Sequence, residues 1–201
     1  MSYTSQDIEA WLGQCADRMI AAASELNELD GRLGDGDLGA TLEKCARLMR
    51  DALAVPSATP SDVFKACAIA CTRASGSSFG TLMAVAFMTL AKSTVGKVAL
   101  DPADVPPLLV QIIDALMARG RGTLGDKTLL DSLEAIRLAA AATPDPKSLH
   151  AQSLAAALQA LDDFRVRPNL IGRARMFGEK SIGLDDPGMV AVARILGAPR
   201  A

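Results

Sequence analysis

Asp30-Gly-Arg-Leu-Gly-Asp-Gly-Asp-Leu-Gly39 breaks a helical pattern that resumes beyond it. It sets three carboxylates, Asp30, Asp35 and Asp37, among four glycines, at 31, 34, 36 and 39. Glycine frees the backbone for positive φ and lets a ligand approach the main chain. Three carboxylates turned toward one point repel each other, so the spacing makes sense with a cation between them. Such oxygen donors suit Mg²⁺ or Ca²⁺ rather than Zn²⁺. The EF-hand pattern is excluded, because Gly39 falls at its third ligand position and Ala46 where the closing Glu belongs. Mg²⁺ keeps few protein carboxylates and completes its shell with water and phosphate oxygens. The stretch therefore points to a Mg–phosphate site; a solvated Gly/Asp turn between helices is the plainer alternative.

Upstream, Ile8, Trp11, Leu12, Cys15, Met19, Ala22, Ala23 and Leu26 recur at three–four spacing. That predicts a helix over 6–29 with this stripe inward, delivering Asp30 to its C-terminal end. Downstream, a second helix starts near Leu38 with Leu42, Cys45, Met49 and Leu53 inward, and its free N–H groups favour an anion at the loop. Ser61 and Asp62 open a third helix with Val63, Phe64, Cys67, Ile69 and Ala70 as core candidates. It ends in Arg73-Ala-Ser-Gly-Ser-Ser-Phe-Gly80, which leads into an apolar helix over 81–92. Serines and amides at a helix start can form an anion nest or simply cap the helix. The segment is not a P-loop, since it lacks Gly-x-x-x-x-Gly-Lys-Ser/Thr and a preceding strand.

Asp101-Pro102 and Asp104 open a fifth helix, which ends at Arg119-Gly-Arg-Gly122. Gly125-Asp-Lys-Thr128 then precedes a sixth helix over 129–142, and a seventh spans 148–164 with the one histidine, His150, near its start. A segment of about twenty residues, 167–187, is too long for a mere connector. Asp186 and Pro187 fit the N-cap and first position of an eighth helix. The expected fold is all-α, an eight-helix antiparallel up-and-down bundle. The Gly-rich segments follow helices one, three, five and seven. In such a bundle alternate loops share an end, so 30–39, 74–80, 120–128 and 172–188 should converge on one rim.

The 201 residues suit one domain, 1–201, with a good core. Half are apolar, 22% are charged and only 3% aromatic, which favours close-packed helices. A net charge of −2 supplies no basic field for nucleic acid. The longest apolar run, 79–91, is too short to cross a bilayer. The N-terminus carries no signal-peptide pattern, so a cytoplasmic location is expected. Cys15, Cys45, Cys67 and Cys71 all fall in helical patterns and read as buried small hydrophobes rather than a zinc site.

Four motifs in this order resemble the DhaL family, the nucleotide-binding subunits of dihydroxyacetone kinases, over essentially the whole chain. They are Leu29-Asp-Gly-Arg-Leu-Gly-Asp-Gly-Asp37, Ala74-Ser-Gly76 with Phe79-Gly80, Gly125-Asp-Lys-Thr128, and Gly172-Arg-Ala174 running through Gly178-Glu-Lys-Ser-Ile-Gly183 to Asp186-Pro-Gly188. The resemblance implies an eight-helix barrel binding Mg²⁺ with ADP or ATP at one end. It implies that Asp30, Asp35 and Asp37 hold two Mg²⁺ ions and, with Arg173, form the catalytic set. Leu38, Gly39, Thr41, Ala74 and Ser75 would lie against the nucleotide, Gly120 and Leu129 beside the adenine. Arg173 and Asp186-Pro187-Gly188 would close over it. Leu38 stands where the familiar form has histidine, Thr41 where it has asparagine, and Ser77-Ser78 where it has Pro-Leu. The implied partner is a DhaK-type subunit that holds the sugar, dihydroxyacetone or a tetrose. A phosphotransferase-system phosphocarrier and a second copy of this chain are further implied partners. ADP kept as a cofactor and ATP consumed as substrate both fit the site. The alternative is a Mg-nucleotide-binding regulatory protein without transfer activity.

Overall fold

The computed structural model describes residues 2–199 except 75 and 144. The protein is all-α. Among the described residues the helices are α1 Ser5–Leu33, α2 Leu38–Leu53, α3 Pro60–Ala74, α4 Ser78–Ser93, α5 Val105–Gly120, α6 Leu129–Ala142, α7 Leu149–Arg165 and α8 Pro187–Leu196. Short 3₁₀ stretches occupy Pro102–Asp104 and Ala174–Ser181. Tyr3 and Leu100 form an isolated β-bridge. Among the described residues, no helix is long and apolar enough to cross a membrane.

Several boundaries move for local reasons. α1 starts at Ser5 because Thr4 and Asp7 form a capping box. It also runs past residue 29 to Leu33, whose buried side chain continues the inward stripe. Asp30 therefore lies within the helix rather than beyond it. α4 begins at Ser78, earlier than the apolar run suggests, because the Ser77 hydroxyl accepts from Gly80 N–H at 3.3 Å. A 3₁₀ turn precedes α5, with Pro106 and Pro107 in the first turn of the helix. Trp11 and Ile69 are corrections to the expected core, at 42% and 49% exposure. Each sits one step off its helix's buried stripe, beside Leu12 and between Ala68 and Ala70 respectively. All four cysteines are buried, and burial pushes the Cys15 and Cys67 thiols up to about 12.

Each helix packs against the next, and α8 returns against α1, closing a circuit. One core cluster runs from Ile8 and Leu12 through Leu42, Met49, Phe64 and Cys71 to Met189 and Val190. A second joins α5 and α6 through Ile112, Ile113, Leu116 and Leu130. The connections fall at two ends. At one, Thr41 and Ser77 hydroxyls meet at 3.0 Å, Arg173 pairs with Asp35, and Leu170 N–H donates to Asp126 C=O at 3.1 Å. These contacts bring all four Gly-rich segments together. At the other, Ser57 N–H donates to Glu9 at 2.7 Å and His150 Nε2 lies 3.0 Å from the Leu196 carbonyl.

Gly39 fixes how α1 and α2 cross. A Cβ built there would lie 1.8 Å from the Ala23 carbonyl oxygen, which is backbone and cannot rotate away. Gly13, in mid-α1, has nothing within 4 Å of its added Cβ. Gly39→Ala is expected to destabilise the fold by about 4 kcal/mol or more, as a backbone clash at a helix crossing. Gly13→Ala is expected to stabilise it by about 0.5–1 kcal/mol through helix propensity. Urea unfolding of both variants checks the contrast; equal midpoints would contradict this account of the crossing.

Candidate functional site

The aspartate loop is held by its own backbone. Asp30 Oδ2 accepts from Asp37 N–H at 2.9 Å and from Leu38 N–H at 3.3 Å, tying the last turns of α1 to the first of α2. Asn27, a turn earlier on α1, accepts from Ala40 N–H at 3.0 Å. Gly36 takes φ +75°, and a Cβ at Gly34 would sit 2.5 Å from Asp30 Oδ1. The chain therefore folds back tightly enough for Asp30, Asp35 and Asp37 each to bring a carboxylate oxygen within 4.8 Å of the others. Burial, then Asp35 and Asp30, raise the Asp37 pKa, while the Arg173 charge lowers it. Clustered anionic oxygens with no sulfur or imidazole donor fit a hard divalent cation such as Mg²⁺.

The residues beside this loop divide into two groups. Thr41 donates to Ser77, which caps α4, so the starts of α2 and α4 lie side by side. Leu38 is buried and Gly39 faces α1, so both turn inward beneath the loop. Ala74 is the buried last residue of α3, and Ser75 lies outside the described residues. Across the rim, Gly120 closes α5, with an added Cβ 3.6 Å from Leu82. A Cβ at Gly188 would lie 3.6 Å from Phe79 and 3.7 Å from Leu129. Phe79 and Leu82, three residues apart on α4, thus give Gly120, Leu129 and Gly188 an apolar partner that sequence reading missed. Asp186 caps α8, accepting from Met189 N–H at 3.0 Å, with Pro187 in the first turn.

Arg173 reaches from the last loop to form an ion pair with Asp35, both partly exposed. It is the point where that loop meets the aspartates. The segment around it is a 3₁₀ stretch kinked at Gly178, where φ is +50°. Met176 at its tip is 84% exposed. The loop is not loose throughout. Arg165 donates to both Asp185 oxygens at 2.8 and 3.2 Å, and Gly183 N–H donates to Arg165 C=O at 2.8 Å. Residues 172–180 lie outside these ties, so a segment able to close over the rim would be narrower than 172–188.

The chain resembles known proteins over most of its length. The DAK2 domain family model matches residues 32–200. The chain is 30% identical over 179 residues to the "PTS-dependent dihydroxyacetone kinase, ADP-binding subunit DhaL" of Lactococcus lactis, covering 89% of this chain and 87% of that one. It is 28% identical to the "PEP-dependent dihydroxyacetone kinase 1, ADP-binding subunit DhaL" of Listeria innocua, covering 98% and 96%. Its fold matches the dihydroxyacetone kinase from C. freundii, solved in complex with AMP-PNP and Mg²⁺. The TM-score is 0.74 at 20% identity, over 98% of this chain and 34% of that larger one.

Asp186 makes the site's base sensitive to pH. Burial pushes its carboxyl up to about 6, against amide hydrogen bonds from Met189 and Gly188, the Lys127 charge and Asn169. Between its ordinary 3.8 and about 6, the folded chain holds a proton that the unfolded chain has released. Asp186 thus lowers stability as pH rises through that window. Asp186→Asn keeps a capping oxygen and removes the titration. Its stability relative to the parent is expected to improve from pH 4 to pH 7, read by urea unfolding at each pH. A difference independent of pH would refute the assignment.

Proposed function

Since the chain belongs to the DAK2 domain family, we propose that it is the nucleotide-binding subunit of a kinase for dihydroxyacetone or a related short keto-sugar. It would bind Mg²⁺ with ADP or ATP and pass a phosphoryl group to sugar held on a separate DhaK-type subunit in the cytoplasm. The observation that carries the reading is the packing of three carboxylates within 4.8 Å at the rim where Arg173 arrives. Phosphoryl transfer asks a protein chiefly for positioning and for stabilisation of charge. Those are what this rim offers.

Asp30, Asp35 and Asp37 would hold two Mg²⁺ ions, which when bound neutralise phosphate charge and polarise the transferring group. The chain's own residues do the rest. Asp30 gives Oδ2 to two amides, which keeps Oδ1 aimed and available. The starts of α2 and α4 bring amide dipoles to the same edge. The apolar patch of Phe79, Leu82 and Leu129, with glycines 120 and 188 leaving space beside it, suits a flat base. Arg173 offers planar paired donors to phosphate, a geometry lysine lacks. Its ion pair with Asp35 keeps it at hand, and residues 172–180 would shield the phosphates from water as they close. A phosphotransferase-system phosphocarrier would rephosphorylate bound ADP if the nucleotide is retained, and ATP exchange would serve otherwise.

Two measurements test the site. Asp35→Asn is expected to weaken Mg²⁺-dependent ADP binding in calorimetry by about tenfold or more, some 1.4 kcal/mol, with helical content unchanged in circular dichroism. Unaltered affinity would remove Asp35 from the metal set. Separately, Mg²⁺ and ADP together should raise the melting temperature, since the unfolded chain lacks the site; at a hundredfold excess over Kd the gain is about 2.7 kcal/mol. Full stabilisation by ADP in EDTA would refute a metal-bridged nucleotide.

A further inference from the structure

Lys127 is the largest side chain under 2% exposed among the described residues, larger than any buried methionine or leucine. Its backbone is also unusual: φ is +61°, in the left-handed region where a branched-Cβ chain is disfavoured and glycine is the ordinary choice. An ammonium removed from water is costly unless its protons are all received. Here they are. Nζ donates to the carbonyls of Arg167 at 2.8 Å, Ser181 at 2.9 Å and Arg165 at 3.4 Å. Three N–H groups meet three oxygens, a match that the planar guanidinium of arginine would not reproduce. Burial lowers the Lys127 pKa, and the Asp186 and Asp185 carboxylates act to raise it.

The placement of those oxygens gives the contact its meaning. Arg165 and Arg167 lie where the last loop leaves α7; Ser181 lies where its 3₁₀ stretch ends. One buried cation therefore joins both roots of the segment that carries Arg173. A second set of bonds reinforces the clamp. Asn169 Nδ2 donates to Lys127 C=O at 2.9 Å and to Asp186 Oδ1 at 2.8 Å. Asn169 N–H donates to the Ser181 hydroxyl at 2.9 Å, which donates on to Gly178 C=O at 2.6 Å. Gly178 is the kink of the flap. The network thus runs from the start of α6 to the bend beside Arg173.

We propose that Lys127 is a positioning residue: it braces the two roots of the 172–180 flap, so that Arg173 is presented to Asp35 and to bound phosphate from a fixed base. The brace itself stands on the geometry; its effect on nucleotide rests on the reading given under Proposed function.

Lys127→Met keeps length and removes the donors. In the ligand-free protein, amide hydrogen exchange of residues 172–181 is expected to quicken by about tenfold or more, with α1–α3 unchanged. Unchanged exchange in the flap would overturn the brace. Should that variant fail to fold, Lys127→Arg keeps the charge, but its planar fork does not reproduce the three bonds to the carbonyls of Arg165, Arg167 and Ser181. It is expected to quicken exchange at 172–181 more modestly, and no change there would equally overturn the proposal. A double-mutant cycle of Lys127→Met with Arg173→Ala, read in Mg-ADP affinity, tests the route to the site. If Lys127 acts through Arg173, the double variant binds no more weakly than Arg173→Ala alone. Additive losses would show that Lys127 acts otherwise and overturn the positioning role. A parent protein that does not bind Mg-ADP would sink the kinase reading, while the ligand-free exchange still decides the brace.

Discussion

Mutual repulsion of like charges is the constraint on which this structure turns. Three carboxylates with oxygens inside 4.8 Å would drive the loop apart if side chains alone held it. The protein holds it by main chain instead. Two amides are fastened to Asp30, a third to Asn27, and Gly39 lets α2 lie hard against the α1 backbone. None of those ties uses the charge of Asp35 or Asp37. Both stay partly exposed and free to meet a counter-charge, which Arg173 supplies at Asp35.

That arrangement sets the demands on the remaining helices. The loop can be rigid only if α1 and α2 approach closely, and the inner faces of α1–α3 are accordingly rich in small residues: Ala16, Ala22, Ala46, Cys45, Cys67, Ala68, Ala70 and Cys71 are all buried. Closing the circuit from α8 to α1 then carries the last loop across to the aspartates. Arg194 on α8 binds Glu25 on α1 at 2.9 Å, a tie one turn or so below the loop that fixes this closure.

Much of this was legible along the chain because its causes are local. The Asp/Gly spacing, the Asp186 cap, and the alternation of Gly-rich breaks with helices all depend on near neighbours. So the carboxylate cluster and the common rim could be anticipated. What could not be read depends on partners far away in sequence. Lys127 carries no sign of burial within its Gly-Asp-Lys-Thr stretch; that burial is decided by carbonyls 38 to 54 residues downstream. Phe79 and Leu82 read as ordinary core positions until Gly120 and Gly188 are seen beside them. Leu38 and Gly39 sit in the most suggestive stretch of all and yet face inward, because the first turn of α2 must pack before it can present anything.

The direction of α1 and α8 has a consequence for assembly. Tyr3 pairs with Leu100, and the Leu196 carbonyl lies beside His150, both at the end of the ring away from the aspartates. A tether attached before α1 or after α8 would leave from the floor, with the working rim unobstructed. Such a ring can be a free-standing part or a module threaded into a longer polypeptide without rerouting any helix. The relatives show both scales of chain: the Lactococcus lactis subunit is matched over 87% of its length, the C. freundii kinase over 34%. A flexible linker at that opposite pole would set only how far the aspartate rim can travel.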